Sequence, residues 1–387
     1  MNFIPYNRQH IDNQDVRIIS KAVKQNLITT GNYVKKFENK IKNLLQSKFA
    51  ISCSSGTAGL HLALKAINVQ NDDIIIMPAV NFVAIYSVCR MLGAKIFLAD
   101  VDPLTGQMTP KSLTECIQKN KLKKIKAIVT MYLGGYPENI VEFYNIKKKY
   151  KCFLIEDACH AFGAKYKFKN FFYYVGSCKH SDLAVFSFHP VKTITSGEGG
   201  VVTANNKILA NRILLLRSHG IERKNNKHWE YNIKEFGFNY RLSDINCALG
   251  LSQLGKIKKF INYRHQIYKN YNKFLSKNWQ IILPEYNQNN ESSFHLFLIS
   301  LKKNKKLLKE KLFIFLKKNK ILAQYHYIPI YRLSIFEKKK INYKEFPNSE
   351  HYFRNNLSLP LFYNLSLKNQ IYISKKINIF LNPLHKK

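Results

Sequence analysis

From Lys48 onward the chain alternates short apolar runs with stretches of helical spacing, and this alternation restricts the fold more than any other feature. "FAIS", "DIIIMPA", "AKIFLADV", "KAIVTMY", "CFLIEDA", "LAVFSF" and "GVVTA" are brief and uninterrupted, as strands buried on both faces are. "GLHLALKAI" and "FVAIYSVCRML" between them carry apolar residues at helical spacing. The order predicts an α/β domain around a mostly parallel sheet. Ligands of such sheets gather beyond the C-terminal ends of the strands. Polar residues stand at those places: Ser54 to Thr57, Glu156 and Asp157, and Ser187 to Lys192.

The pattern changes after about Gly255. A basic helical segment ("KIKKFINYRHQIYKNYNKFL"), a strand candidate ("FHLFLISL"), a second basic helix, another strand candidate ("LAQYHYIPIY") and a helix after Ser366 predict a smaller α+β domain. The expected division is a large domain at 1–255, including the N-terminal segment, and a small C-terminal domain at 256–387. A chain of 387 residues is long enough for two such cores.

Charge bears on which partners to expect. Lys and Arg outnumber Asp and Glu by 62 to 24, a net +38, yet 46% of residues are hydrophobic, so the chain is globular and not disordered. The excess could serve nucleic acid, anionic lipid or an anionic substrate; a general bias toward Lys, Asn, Ile, Phe and Tyr is the favoured explanation. No helix-turn-helix, zinc finger or RNA-binding signature is present and the lysines are spread along the chain, so neither nucleic acid nor membrane is expected as a partner. Their densest run, Lys302–Lys320, places Leu308, Leu312 and Leu316 at helical spacing and reads as an amphipathic helix with a solvated basic face. Seven cysteines without a C-x-x-C pair suit neither a disulfide framework nor a metal centre. No basic-then-apolar leader and no apolar run of about 18 residues is apparent, which makes a cytoplasmic location the expectation.

Three places carry chemistry. "SSGTAGLHLALKA" turns from a strand into a helix, whose N-terminal N–H groups and adjacent hydroxyls suit a phosphate, although Ser and Thr are also ordinary caps. "FLIEDACHAFGA" sets Asp157 after a strand, where a carboxylate can hold a cationic ring nitrogen. "FSFHPVKTITSGEGG" presents Lys192 just beyond a third strand, before a Gly-rich turn read as mobile; burial lowers the pKa of an amine, and a neutral amine can form a Schiff base. A phosphate cradle, an acid for a pyridinium nitrogen and a Schiff-base lysine together are what pyridoxal 5'-phosphate requires.

With "SSGTAGLHLALKA", "IEDACHAFGAKY", "VGSCKHSDLAVFSFHPVKTITSGEGGVV", "RSHGI", "GFNYRLSDINCALGLSQL" and "SLPLFYNLS", the chain resembles the DegT/DnrJ/StrS family of sugar-nucleotide aminotransferases over essentially its whole length. The resemblance implies the pyridoxal-phosphate-dependent transferase fold type I, aspartate aminotransferase-like, in a homodimer with shared active sites. It implies that Lys192 forms the Schiff base and Asp157 pairs with the ring nitrogen. Gly56, Thr57 and Ser187 would bind the phosphate, Phe82, placed on an apolar helix, would stack on the ring, and His160 would lie near the ring oxygen. Asn239 would reach the phosphate in a neighbouring subunit. Glu198, Arg241 and His326 would serve the substrate, a UDP-sugar, with L-glutamate as the expected amino donor. "VGSCKHSDLAVFSFHPVK" and "LAQYHYIPIY" are most similar to members that aminate C4 of a UDP-linked 4-keto-6-deoxy-N-acetylhexosamine on the route to pseudaminic acid; a perosamine-type or bacillosamine-type sugar is the alternative. Members that replace the lysine by histidine are dehydratases, and His189 stands close by, but Lys192 is present. An intact Lys192 also speaks against a protein that binds the cofactor without turnover. Tyr327, Pro329 and Tyr331 read as a strand and its turn.

Overall fold

The computed structural model describes residues 3–223, 229–302, 307–336 and 342–382. All seven apolar runs become strands of one sheet: β1 (Phe49–Cys53), β2 (Ile74–Pro78), β3 (Lys95–Ala99), β4 (Ile125–Met131), β5 (Phe153–Asp157), then, beyond the small antiparallel hairpin of β6 (Lys165–Phe168) and β7 (Phe171–Tyr174), β8 (Leu183–Ser187) and β9 (Gly200–Ala204). Their order is β1-β9-β8-β5-β4-β2-β3. Every pairing from β3 to β8 is parallel, and β9 alone runs against its neighbours β8 and β1.

That single reversal decides where chemistry can sit. Because β9 is antiparallel, its first residue lies at the edge where its neighbours end: Gly200 pairs with both Ser187 and Cys53. One edge therefore gathers the ends of β1, β5 and β8 and the loop that enters β9. Alternate residues of each strand point to opposite faces, and both faces are covered. Ile76, Ile128, Leu154 and Phe186 enter one core cluster, while Ile75, Val129, Ile155 and Val185 enter another. Strands buried on both faces can be apolar at every position.

Helices α1 (Asn13–Val23), α2 (Asn32–Leu45), α3 (Gly56–Ala66), α4 (Val83–Met91), α5 (Pro110–Lys119), α6 (Ile140–Tyr150), α7 (Lys207–Leu216) and α8 (Asp244–Leu254) accompany the sheet. Between α7 and α8 lies a short hairpin, β10 (Ile221–Arg223) and β11 (Tyr231–Ile233). The long helix α9 (Ile257–Leu275) leads to a three-stranded antiparallel sheet of β12 (Ile281–Ile282), β13 (Phe297–Leu301) and β14 (Asn356–Leu359). Helices α10 (Leu308–Lys318), α11 (Pro347–Asn355) and α12 (Leu367–Leu381) complete the chain. Ile267, Tyr271, Phe297, Ile299, Leu312, Leu316, Ile373 and Ile377 form a third core cluster, and Ile4 from the N-terminal segment packs into it. This mostly parallel sheet with helices on both faces, followed by a smaller α+β portion, is the architecture of the pyridoxal-phosphate-dependent transferase fold type I.

Two expectations for the C-terminal part need correction. "LAQYHYIPIY" forms no regular strand: Gln324 makes one bridge to Ser358, and Ile330–Arg332 is a short 3-10 turn. Pro329 has no N–H to offer a ladder, and Tyr325, His326 and Tyr327 line a cavity. The basic helix is present as α10, with Leu312 and Leu316 fully buried, but its basic residues are not all solvated. Lys309 is buried, with its ammonium 3.9 Å from the Tyr325 ring centre and 4.4 Å from that of Phe353, a cation–π arrangement that offsets part of the desolvation cost. Residues 303–306 of that run lie outside the described residues.

Candidate active site

A cavity of about 630 Å³ opens at the gathered edge of the sheet, a volume ordinary for a small-molecule site. It is lined by Ser55, Gly56 and Thr57 after β1, Asp157 at the end of β5 with Cys159 and His160 just beyond it, and Ser187, His189, Val191, Lys192 and Glu198 around the β8–β9 connection. Phe82, at the start of α4, also lines it, and its opposite wall is built of His295 and Gln324 to Tyr327, with Tyr6.

Each side chain is placed by local physics. Ser55 caps α3 with its hydroxyl accepting from the Ala58 N–H at 3.1 Å, a contact worth about 1 kcal/mol. Gly56 and Thr57 occupy the first turn, where backbone N–H groups have no acceptor earlier in the helix and the helix dipole is positive. The helix reaches the sheet edge because Gly56 lacks a side chain: a Cβ there would lie 2.9 Å from the Ser187 Cβ and 3.2 Å from the Cys159 Sγ. Gly200 admits the preceding turn, since a Cβ on it would stand 2.4 Å from the Ser55 carbonyl oxygen.

Lys192 sits on a connection held at both ends by hydrogen bonds. The Phe188 N–H donates to the Gly199 carbonyl at 2.8 Å and the Ser196 N–H to the Phe188 carbonyl at 3.0 Å. Asn246 of α8 donates its amide to the Ser196 carbonyl at 2.7 Å. Within this frame the Lys192 ammonium has no hydrogen bond or ion pair among the described residues. Burial pushes its pKa below the usual lysine value, against the opposing pull of Cys159 and Asp157. Asp157, 3% exposed, accepts the Cys159 N–H on Oδ1 at 3.3 Å. Burial raises its pKa, while bonds from Cys159 and the charge of Lys192 act the other way.

The second wall is a set of neutral rings. Nδ1 of His160 accepts the Gly134 N–H at 3.4 Å, and its Nε2 lies 3.0 Å from the Tyr327 hydroxyl. His295 lies over His160 with ring centres 4.2 Å apart, is 2% exposed, and has no hydrogen-bond partner at Nδ1. His326 shares a hydrogen bond of 2.8 Å between Nδ1 and the Ser358 hydroxyl. All three imidazoles have lowered pKa values, chiefly from burial and secondarily from the Lys192 charge; that of His326 falls to about 3.

The cavity thus brings together Gly56, Thr57, Phe82, Asp157, His160, Ser187, Lys192, Glu198 and His326. Phe82 is the N-cap of α4 rather than a residue within it, and it is 52% exposed, so it is not core. Glu198 lies 3.9 Å from the exposed His189. Asn239 and Arg241 do not line this cavity: Asn239 is exposed and bridges Ser218 through its backbone, and Arg241 is partly buried. Sequence reasoning missed His295, Cys159, Tyr6 and Gln324, and it took Tyr327 for part of a strand. For Tyr327 the adjacent His326 was the one available signal; for His295, inside an apolar strand pattern, none existed.

Tested against these residues, pyridoxal phosphate finds a match for each of its demands. An amine without a partner suits its aldehyde, a buried carboxylate with one oxygen bonded suits its ring nitrogen, and a helix N-terminus held close by glycine suits its phosphate. Among the described residues no cluster could hold a metal ion, and no helix is long and apolar enough to cross a membrane. All seven cysteines are free thiols.

Comparison with known proteins gives the same direction. Residues 9–378 match the family described as DegT/DnrJ/EryC1/StrS aminotransferases. The chain is 36% identical over 383 residues, 99% of each protein, to a UDP-4-amino-4,6-dideoxy-N-acetyl-beta-L-altrosamine transaminase of Campylobacter jejuni. It is 30% identical over 382 residues, 98% of this chain and 99% of the other, to a GDP-perosamine synthase of Escherichia coli O157:H7. Among solved structures, Helicobacter pylori PseC, an aminotransferase involved in the biosynthesis of pseudoaminic acid, superposes with a TM-score of 0.90 at 27% identity, covering 99% of this chain and all of that one.

Proposed function

The chain belongs to the DegT/DnrJ/EryC1/StrS aminotransferase family, and on that premise we propose that it moves an amino group from L-glutamate to C4 of a UDP-linked 4-keto-6-deoxy-N-acetylhexosamine, using pyridoxal phosphate. The observation that carries the reading is the partnerless Lys192 amine in one cavity with Asp157 and the N-terminus of α3. The sugar follows from the 36% identity, along nearly the full length, to a transaminase of that name.

When bound, pyridoxal phosphate supplies a reactive carbonyl and an electron sink for the charge left when an amino-acid Cα loses its proton. The rest of the work falls to the chain. Gly56 and Thr57 bind the phosphate with backbone N–H groups, aided by the Ser187 hydroxyl. Asp157 holds a proton at the ring nitrogen; a cation opposite its carboxylate favours the ionised form that burial alone disfavours. The Lys192 amine, kept partly neutral by burial, takes the proton from the donor Cα and returns it at the carbon that becomes aminated. Phe82 covers the ring with its exposed face, and His160 stands beside its oxygen. Glu198 and His326 serve the sugar nucleotide from within the cavity, while Asn239 and Arg241, which stand apart from it, serve the cofactor phosphate and the substrate held by a second copy in a homodimer. The two half-reactions share one site, so kinetics are ping-pong. Residues 1–255 form the cofactor-binding domain and 256–387 the smaller one, and the enzyme works in the cytoplasm on soluble substrates.

The test is an absorbance spectrum of the purified protein with added pyridoxal phosphate, before and after L-glutamate, followed by a panel of 4-keto nucleotide sugars with mass detection of the aminated product. A visible-edge band that moves to shorter wavelength with glutamate, and amination of the UDP-hexosamine, is the expected result. A colourless protein that takes up no cofactor sinks the reading. A second reading, a GDP-linked perosamine-type substrate, has the 30% identity to GDP-perosamine synthase in its favour; preference for GDP over UDP in the same panel selects it.

A further inference from the structure

Away from the cavity, lysines and exposed aromatic rings meet at a corner of the surface. Helix α6 and its end carry "KKKYK", Lys147 to Lys151, and the hairpin of β6 and β7 turns at Lys169 and Asn170. The two elements meet around the buried ring of His180. Ring centres of Tyr144 on α6 and of Tyr166, Phe168 and Tyr173 on the hairpin stand 5.3, 5.6, 4.9 and 5.7 Å from it. Because α6 ends just before β5 begins and His180 stands just before β8, the corner lies at the edge of the sheet opposite the cavity.

At the tip of the hairpin Phe171 is 65% exposed and Phe172 46%. Both are held on a regular ribbon, where Phe168 pairs with Phe171 and Lys167 with Phe172; adjacent apolar rings kept in water on an ordered element mark a surface that meets a partner. Exposed Lys148, Lys167, Lys169 and Lys179 surround them. The ammonium groups of Lys148, Lys169 and Lys179 stand 4.6, 5.7 and 6.0 Å from the ring centres of Tyr144, Phe168 and Tyr173, which places all three at this corner. None of the four lysines makes an ion pair among the described residues. The carboxylates beside them are already taken, since Asp182 is 2.6 Å from the Lys147 ammonium and Glu291 is 2.7 Å from that of Lys165. The corner is thus a cluster of uncompensated cations around an apolar tip.

We propose that this corner seats the protein on an anionic lipid surface, with Phe171 and Phe172 entering the interface and Lys148, Lys167, Lys169 and Lys179 facing acidic headgroups. Charge and shape select that partner. Ammonium groups on flexible stems act as point charges toward a dense layer of headgroups, each adding about fivefold in affinity, and apolar side chains beside them enter the boundary between headgroups and acyl chains. Nucleic acid is the other extended polyanion, but the segment from Ile140 to Leu183 holds no arginine for bidentate contact with phosphate or base. The lysines that are spread along the sequence are gathered here by the fold. Seated this way, the protein keeps its cavity, on the opposite edge of the sheet, open to soluble substrates, so the proposal stands independently of the amino-transfer reading.

The experiment is co-sedimentation of the full chain with phosphatidylcholine vesicles, with and without phosphatidylserine, at low and high salt, with thermal unfolding as a folding control. The expected result is binding to the phosphatidylserine vesicles alone, weakened by salt. Replacing the four lysines together (Lys148→Gln, Lys167→Gln, Lys169→Gln and Lys179→Gln) weakens it by about 10²-fold or more, and Phe171→Ser with Phe172→Ser by about tenfold. Phe171→Ser alone, at the more exposed ring, serves if the pair lowers stability. A control that removes the same charge at α10 and its end (Lys311→Gln, Lys317→Gln, Lys318→Gln and Lys320→Gln) stays within about twofold of the wild type. Equal loss in that control means binding by overall charge and overturns the proposal. A wild type that ignores the vesicles also overturns it, whether it binds duplex DNA or RNA instead or whether the phenylalanine substitutions split an oligomer, which assigns the corner to a second copy.

Discussion

The two walls of the cavity are made by different means. The first, comprising the turn after β1, Asp157 at the end of β5 and Lys192 after β8, is hung on the edge of a seven-stranded sheet and positioned by backbone pairing. The second, comprising His295 and the segment from Gln324 to Tyr327, is held by side-chain bonds such as His160 to Tyr327 and His326 to Ser358. A sheet edge fixes groups that must meet one another for covalent chemistry, while a wall of neutral rings joined by single hydrogen bonds adjusts the environment in which that chemistry runs.

This contrast predicts graded losses. Lys192→Ala removes the only group assigned to move the proton, so turnover falls by at least roughly 10³-fold while the protein stays folded; half-reaction spectra with glutamate measure it. A variant that keeps more than a tenth of the wild-type rate would break the distinction between the walls. Asp157→Asn keeps the shape but loses the charge opposite the ring nitrogen, and a loss of about 10²-fold in the glutamate half-reaction is expected, read by stopped-flow absorbance. Gly56→Ala pushes a methyl to 2.9 Å from the Ser187 Cβ. It should cost about 1–3 kcal/mol, divided between stability and cofactor affinity, as unfolding and equilibrium binding measurements separate.

The effect that belongs to the second wall is absent at neutral pH and appears only in acid. His326 has a folded pKa of about 3, below the value near 6.5 of an unfolded chain. Between those values the unfolded state binds the extra proton, so stability is full above about pH 6.5 and falls as pH drops toward 3, by about 1.4 kcal/mol per unit for this one group. His326→Gln should flatten that acid limb of a denaturant-measured stability profile and leave the neutral limb lower by the cost of repacking. An acid limb as steep as the wild type's would mean that His326 is already charged in the fold.

The legibility of the site followed the same division. Each strand of the main sheet could be read because strands covered on both faces must be apolar throughout, as "DIIIMPA" and "CFLIEDA" are. The lysine and the acid could be read because parallel sheets put their ligands at strand ends. The segment "LAQYHYIPIY" misled, since alternating aromatic residues look like a strand whether they face a core or line a pocket. His295 stayed invisible because it borders β13 and differs from its apolar neighbours only in having nitrogen.

By itself, then, the sequence determined which runs are buried, which residues stand at their ends, and that a phosphate cradle, an acid and a lysine occur together. Only the tertiary structure decided that β9 runs backward and returns its Gly-rich entry to the same edge, that Tyr327 meets His160, and that Asn239 and Arg241 stand apart from the cavity. The physical reason is range. Burial and strand ends are written in neighbours two to four residues apart, whereas the His160–Tyr327 bond joins groups 167 residues apart, whose encounter depends on how two separately built cores pack.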